Sequence, residues 1–161
     1  MNNILIIIVL VILIIIIINK YNHKEPFMTE REKKILNQCF GDEKMNTFKK
    51  YEKYSKKYIL DNSIVFATPV HIIKEIQSIS NNGNFINNMC TNSQMRRKGI
   101  ATKLLKRVLE DAKKEGKDHC ILQVYSDNTP ALNLYKKIGF KIDKTFISTE
   151  KRIVYNMVHY L

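Results

Sequence analysis

The chain has 161 residues, 27 of them basic and 15 acidic, for a formal net charge of +12. This length suits one domain of ordinary size, which can bury a core without disulfides or metals. The composition excludes collagen-like, disulfide-scaffold and polytopic membrane proteins. The charge favours an anionic partner, whether nucleotide, lipid or nucleic acid, without choosing among them.

The N-terminus contains an unbroken, uncharged aliphatic run at 4–18. A helix of that length spans about 22 Å, so we predict a short transmembrane anchor over 1–19. A cleaved signal peptide is the alternative, but the flanks show neither a basic start nor a small-residue cleavage site. Basic residues follow the run and none precedes it, which predicts that the rest of the chain lies on the cytosolic side of the membrane.

A polar linker at 20–28 is predicted to lead into a helix over 29–40. Thr29 is a suitable N-cap, and Glu30 and Glu32 in the first turn favour the positive end of the helix dipole. Gly41 is expected to end this helix.

A second helix is predicted over 44–58, where aromatic residues recur at three- and four-residue steps among lysines. One interpretation is a basic-aromatic surface that binds nucleic acid. The other is an amphipathic helix that buries its aromatic side in the core. We favour the second, because the aromatic residues share one face, and we expect no nucleic-acid partner. Those residues are Phe48, Tyr51, Tyr54 and Tyr58.

The middle of the chain is typical of β-strands. Residues 63–68 and 85–91 are rich in β-formers, and Asn-Asn-Gly-Asn at 81–84 is a turn signal. The isoleucine spacing at 71–79 also fits a helix, but its place before the turn favours a strand.

The periodicity is clearest from Ile100 onward. It predicts a long helix capped by Gly116, a buried strand, a shorter helix ending at Gly139 and two closing strands. The predicted ranges are 100–112, 120–125, 130–138, 140–142 and 153–160. This order predicts an α+β or α/β fold, with a sheet covered by helices on both faces.

The segment 96–101, Arg-Arg-Lys-Gly-Ile-Ala, lies between a predicted strand and the long helix. Gly99 permits turn dihedral angles and close approach of a ligand. The first amides of the helix lack partners and lie at its positive end, where a pyrophosphate binds well. By itself the hexapeptide is equally consistent with a plain basic loop.

In context this arrangement resembles the GNAT superfamily of acyl-CoA-dependent N-acetyltransferases. Their pyrophosphate loop, Arg/Gln-x-x-Gly-x-Gly/Ala, matches 96–101, and their later pattern, Asn-x-x-Ala-x-x-Leu-Tyr-x-x-x-Gly-Phe, matches 128–140. The resemblance covers 85–161 well and the preceding residues by element order alone. It implies a GNAT fold of the α+β class over 29–161, with a mixed central sheet, preceded by the transmembrane helix.

The resemblance also implies acetyl-CoA as cosubstrate, an amine of a protein or small molecule as acceptor, and no metal. Main-chain groups of Met89, Cys90 and Thr91 would hold the pantetheine arm, which Asn128 would also contact. The pyrophosphate would be held by amides from Arg96, Arg97, Lys98, Gly99, Ile100 and Ala101.

Tyr135 would lie near the thioester and protonate the departing thiolate, a role that a phenol in a water-poor cleft can perform. Its position on the same helix face as Ala131 and Ile138 predicts that it points inward. The alternative is a tyrosine that only packs in the core.

This chain departs from the family pattern in two places. Asn92-Ser93-Gln94 stands where a proline usually follows the splayed strand, and that strand lacks the glutamate that many relatives use as a base. A water relay, or an amine that arrives deprotonated, would replace that glutamate. The other titratable candidates, none of them preferred, are Glu75, His71 and Glu150.

The cysteines Cys39, Cys90 and Cys120 are odd in number and widely spaced. We therefore expect neither a zinc site nor a disulfide framework, which fits a reducing compartment. Cys90 as an acylated nucleophile is disfavoured, because a strand cysteine is usually inert packing.

The sequence thus predicts a membrane-anchored acetyltransferase in which an amine attacks acetyl-CoA directly in a ternary complex. Three alternatives stay open: a catalytically impaired CoA-binding interaction module, a basic membrane-surface protein with an incidental motif, and a secreted enzyme. Neither the acceptor nor the oligomeric state follows from the sequence.

Overall fold

The computed structural model describes residues 11–14, 27–49, 51–73 and 80–161, with the backbone alone for 41–49. The predicted anchor at 1–19 and linker at 20–28 therefore lie largely outside the described residues. Within the described part, residues 11–14 are helical, and no helix has the length and apolar character needed to cross a bilayer.

The described residues from 27 onward form three α-helices and six strands of a single sheet. Short 3-10 turns at Glu52–Tyr54, Val70–Ile72 and Ser93–Met95 connect some of them. In chain order they are α1 (Glu30–Lys49), β1 (Lys56–Leu60), β2 (Ser63–Pro69), β3 (Gly83–Thr91), α2 (Ile100–Lys114), β4 (His119–Tyr125), α3 (Thr129–Ile138), β5 (Lys141–Ile147) and β6 (Ile153–Tyr160).

The strand order across the sheet is β1-β2-β3-β4-β6-β5. The β3–β4 pair is parallel and the other neighbouring pairs are antiparallel. The predicted mixed sheet is therefore confirmed. The parallel pair needs a crossover, which α2 supplies.

Helices cover both faces of the sheet, as predicted. Alternate residues of β2 point to opposite faces: Ile64 and Phe66 pack in a cluster with Leu36 of α1. Val65 and Ala67 pack in a second cluster with α2. Because α3 also packs in this second cluster and contacts α2, we call the two sides of the sheet the α1 face and the α2 face.

The prediction for the segment after Phe40 is wrong. Helix α1 runs through Gly41 to Lys49, and the chain then turns and enters β1 at Lys56. Pairing of β1 with β2 overrides the helical periodicity of 44–58. Tyr58 is buried in the core, as the core interpretation predicts, whereas Tyr54 is exposed, so the aromatic residues do not form one stripe.

From Ser63 onward the predicted elements are confirmed, apart from 71–79. There Val70–Ile72 forms a 3-10 turn and 74–79 lies outside the described residues. Helix α2 ends just before Gly116 and α3 just before Gly139, both with positive φ, as the capping argument predicts.

Cys39 and Cys90 form a disulfide, which the spacing of the cysteines did not predict. Their Cα atoms lie 5.9 Å apart although 51 positions separate them in the chain. The bond links α1 to β3 across the α1 face. The two cysteines meet only because α1 packs on the sheet. No local sequence pattern predicts this disulfide. Cys120 is a free, buried thiol.

Candidate active site

The site begins where β3 and β4 separate. The two strands pair only from Gly83 with His119 to Ile86 with Leu122, although both continue further. Beyond Ile86, β3 carries a bulge against β2, and Asn88 has a φ of +47°. A bulge bends a strand, so the end of β3 turns away from β4. Met89 therefore has no pairing partner on β4.

A cleft of about 420 Å³ occupies the gap between the separated strands. Its walls come from α1, β3, β4, α3 and the β5–β6 hairpin. The sequence predictions Met89, Asn128 and Tyr135 all lie on these walls. Cys90 does not, because its side chain is buried on the α1 face in the disulfide with Cys39.

The predicted anion loop leads into the N-terminus of α2. Gly99 precedes the first helical residue with a φ of +75°, and a Cβ atom there would meet nothing within 4 Å. The first backbone hydrogen bond of α2 runs from the Lys103 amide to the Gly99 carbonyl, at 3.0 Å. The amides of Ile100 and Ala101 are therefore free to bind an anion.

Three exposed cations surround this helix end. Arg96 donates from Nε to the Thr91 carbonyl at 3.3 Å, and Lys98 Nζ lies 3.6 Å from the Met95 sulfur. Within the described part of the chain, no carboxylate pairs with Arg96, Arg97 or Lys98. Their charge is therefore available to an anion, and the residues fit a pyrophosphate.

Tyr135 lies on α3 and is 9% exposed. Its ring packs edge to face against Phe140, with the ring centroids 6.0 Å apart. Burial raises the pKa of Tyr135 to about 12, so the hydroxyl stays protonated at physiological pH. It makes no hydrogen bond to any residue that the structure describes, so it can donate a hydrogen bond to a ligand in the cleft.

Asn128 is the N-cap of α3. Its Oδ1 accepts a hydrogen bond from the Ala131 amide at 3.3 Å, as the predicted helix start requires. The cap uses the carbonyl end of the side chain, so the amide nitrogen is the end available to a ligand. Asn128 is exposed and lines the cleft.

The candidate bases lie away from the cleft or outside the described residues. His71 is exposed on the Val70–Ile72 turn, and Glu75 falls in the undescribed segment 74–79. Glu150 accepts a hydrogen bond from the Tyr125 hydroxyl at 3.1 Å, at the rim of the cleft. Among the residues described, no carboxylate and no imidazole lines the cleft itself.

Sequence reasoning missed a cluster at the cleft rim. The Arg152 guanidinium donates to both carboxylate oxygens of Asp127 at 2.7 and 2.8 Å and stacks on the Tyr125 ring at 3.6 Å. This cluster fixes the β5–β6 turn beside the start of α3. Because 25 residues separate the partners, no spacing in the sequence reveals it.

It also missed an amide on the cleft wall. Asn87 donates from Nδ2 to Thr68 Oγ1 at 2.9 Å, and the Thr68 hydroxyl lies 2.7 Å from that of Ser55. A neutral amide thus stands on the strand where the family that the sequence resembles often carries a glutamate base. The absence of glutamate at 86–88 was visible in the sequence, but the partner on β2 was not.

Residues 68–140 match the sequence model described as the Acetyltransferase (GNAT) family. A curated relative, the chloroplastic GCN5-related N-acetyltransferase 6 of Arabidopsis thaliana, is 38% identical over 69 residues, which is 43% of this chain. The matched stretch spans 24% of that relative's length.

Two solved structures share the fold. An IAA acetyltransferase from Bacillus cereus aligns with a TM-score of 0.62 at 18% identity, over 80% of this chain and 91% of that one. An acetyltransferase from Bacillus subtilis in complex with CoA aligns with a TM-score of 0.63 at 16% identity, over 83% and 93%. Residues 68–140 are therefore similar in sequence to the GNAT family of acetyltransferases, and the chain shares the fold of the two solved acetyltransferases.

Proposed function

We propose that this protein transfers the acetyl group of acetyl-CoA to an amine by direct attack in a ternary complex. The observation that carries the proposal is that β3 leads from the cleft to the anion loop: Met89 lines the cleft, and Arg96 at the start of the loop donates to the carbonyl of Thr91, the last residue of β3. In the reaction, the amine nitrogen bonds to the thioester carbonyl carbon, the carbon–sulfur bond breaks, the nitrogen loses a proton and CoA leaves as a thiolate that is then protonated.

The residues of the chain fit acetyl-CoA at two points. Free amides at the start of α2, with Arg96, Arg97 and Lys98, complement a pyrophosphate. The unpaired edge of β3 beyond Ile86 offers main-chain donors and acceptors to the amide groups of a pantetheine arm. These two features support the assignment of Met89, Cys90 and Thr91 to the arm and of 96–101 to the pyrophosphate.

Tyr135 is the group that we assign to the leaving thiolate. A buried phenol stabilises negative charge that develops nearby. Its pKa of about 12 favours donation of a hydrogen bond over complete transfer. Losing that proton to a thiolate of ordinary pKa, about 8.5, would be about 5 kcal/mol uphill.

The test of this function is release of the CoA thiol by the full-length protein in detergent, assayed against a panel of amines. Amine-dependent release is expected from the parent. A parent that binds CoA firmly but acetylates no amine would instead support the CoA-binding interaction module, which the comparisons do not favour.

We also propose that residues 1–19 anchor the chain in a membrane and that the catalytic domain faces the cytosol. Support comes from the aliphatic run and from the basic residues that follow it. In sealed vesicles with the cytosolic face outward, a C-terminal tag should be open to protease, and the chain should resist carbonate extraction. Loss of the chain to carbonate, or a mature N-terminus beyond residue 19, would contradict the anchor.

A further inference from the structure

The cleft crosses the sheet and has a different end on each face. Ile86 and Val124 pack in the α2-face core, so their neighbours Phe85 and Tyr125 point to the α1 face. The anion loop and Tyr135 belong to helices of the α2 face. If acetyl-CoA approaches from that face, the acceptor reaches the thioester from the α1 face.

Three phenylalanines from three elements form the wall at this α1-face end. Phe40 comes from α1 and Phe85 from β3. Phe146 of β5 pairs with Val154, which pairs with Tyr125, and directly paired residues share a face. Phe146 is 39% exposed, so its apolar surface is uncovered where it borders the cleft.

The polar groups on the same wall are uncharged. Asn87 is held by Thr68, and Gln123 and Ser148 complete the polar part of the lining. Within the described ranges, the two carboxylates of the rim cluster already have partners: Glu150 accepts from Tyr125 and lies 3.9 Å from Arg152, and Asp127 is paired with Arg152. A charged group carried into this end would lose its hydration without gaining a partner of opposite charge among the described lining residues, which is costly.

We infer that the acceptor is a primary amine attached to an apolar body, aromatic or aliphatic, and not a polyamine or an amine with a nearby carboxylate. This inference rests on the proposed acetyl transfer and names its substrate class. The phenylalanine wall packs against the apolar body of the acceptor. The other side chains of this end are uncharged, so they offer no partner for a second charged group, and the amine nitrogen is the one polar end that reaches the thioester.

The experiment compares acceptors of matched length with the full-length protein and acetyl-CoA. Hexylamine carries an apolar tail, 1,6-diaminohexane adds a second ammonium, and 6-aminohexanoate adds a carboxylate. We expect kcat/KM for hexylamine to exceed that for either charged analogue by about tenfold or more. Equal or better use of a charged analogue would overturn the inference.

A pair of variants distinguishes the effect of a charge on the cleft wall from the effect of a charge elsewhere on the surface. Phe146→Glu places a carboxylate on the wall and should raise the preference for 1,6-diaminohexane over hexylamine by about tenfold. Ile147→Glu is the matched control: Ile147 is 72% exposed on the same strand and points to the opposite face. Ile147→Glu should keep the parent's acceptor preference. An equal change of preference in both variants would contradict the role of the phenylalanine wall.

Amine binding distinguishes a failure of the proposed acetyl transfer from a failure of the inferred acceptor class. If the parent acetylates none of these amines, their affinities for the CoA-loaded protein are measured by calorimetry. Hexylamine binding at least tenfold tighter than 1,6-diaminohexane would uphold the acceptor class while rejecting the proposed function. Absence of binding by all three amines would overturn the inference, and turnover without preference would overturn it while the function stands.

Discussion

At the scale of single residues, Gly99 has a left-handed backbone conformation and no atoms close to where a Cβ would lie. Its φ of +75° suits glycine, and asparagine and aspartate tolerate that region better than other residues. Since a Cβ atom added there meets nothing within 4 Å, both substitutions should leave the fold intact. The pair therefore isolates the effect of charge at the anion site.

Gly99→Asp is expected to weaken CoA binding at least about tenfold more than Gly99→Asn, because the carboxylate repels the pyrophosphate. Isothermal titration with CoA at low and high salt measures both affinities, and the difference should shrink as salt rises. Equal CoA affinity in parent and both variants would remove the anion site from this loop.

Tyr135 offers the second test at this scale. Tyr135→Phe keeps the edge-to-face packing on Phe140 and removes only the hydroxyl. Turnover should fall by about 10² to 10⁴ with little change in CoA affinity, since the hydroxyl acts on the leaving thiolate. Arg96→Ala is the contrasting variant and should weaken CoA binding more than the chemical step. Unchanged turnover in Tyr135→Phe would reject the role.

At the scale of elements, the Cys39–Cys90 bond joins α1 to the strand that bends away from β4. Phe40 and Met89, the neighbours of the two cysteines, both line the cleft. The bond therefore holds two walls of the candidate site at a set separation.

Cross-linking residues 51 positions apart should stabilise the fold by about 2–4 kcal/mol, mainly by restricting the unfolded chain. Cys39→Ser is expected to lower the free energy of unfolding by that amount, measured with urea in the absence of reductant. Thiol titration of the denatured, unreduced protein should find one free thiol, that of Cys120. Three free thiols would contradict the disulfide.

At the scale of the whole molecule, stability should depend on pH through His119. Its side chain is 1% exposed and lies against Gly83, where an added Cβ atom would clash with the imidazole. Burial lowers the pKa of His119 below its ordinary value, partly offset by Asp118. The unfolded chain therefore binds more protons than the native state once the pH falls below about 6.5.

The free energy of unfolding is accordingly expected to fall as the pH drops from about 6.5 to 5, by at most about 1.4 kcal/mol for each pH unit. Urea midpoints measured across this range test the slope. His71→Gln is the matched control, because it replaces an exposed histidine and should leave the slope unchanged. Unfolding free energies of the parent that do not change with pH over this range would contradict the lowered pKa of His119 in the native state.

Much of the C-terminal half could be predicted from the sequence because its signals are local. The apolar period of α2, the glycines that end α2 and α3, and the Asn128 cap act within a few residues of each other. The loop at 96–101 was found for the same reason, since its amides and cations belong to one short segment. Tyr135 was placed inward by helical spacing alone.

What only the tertiary structure decided depends on residues far apart in the chain. Packing of α1 on the sheet pairs Cys39 with Cys90, and pairing with β2 makes a strand of Lys56–Leu60 despite its helical spacing. The bulge after Asn87 opens the cleft, and three elements bring their phenylalanines to one end of it. Local propensity sets which dihedral angles a segment prefers, but contacts across the sheet determine which segments meet, and the acceptor end of this site consists of such contacts.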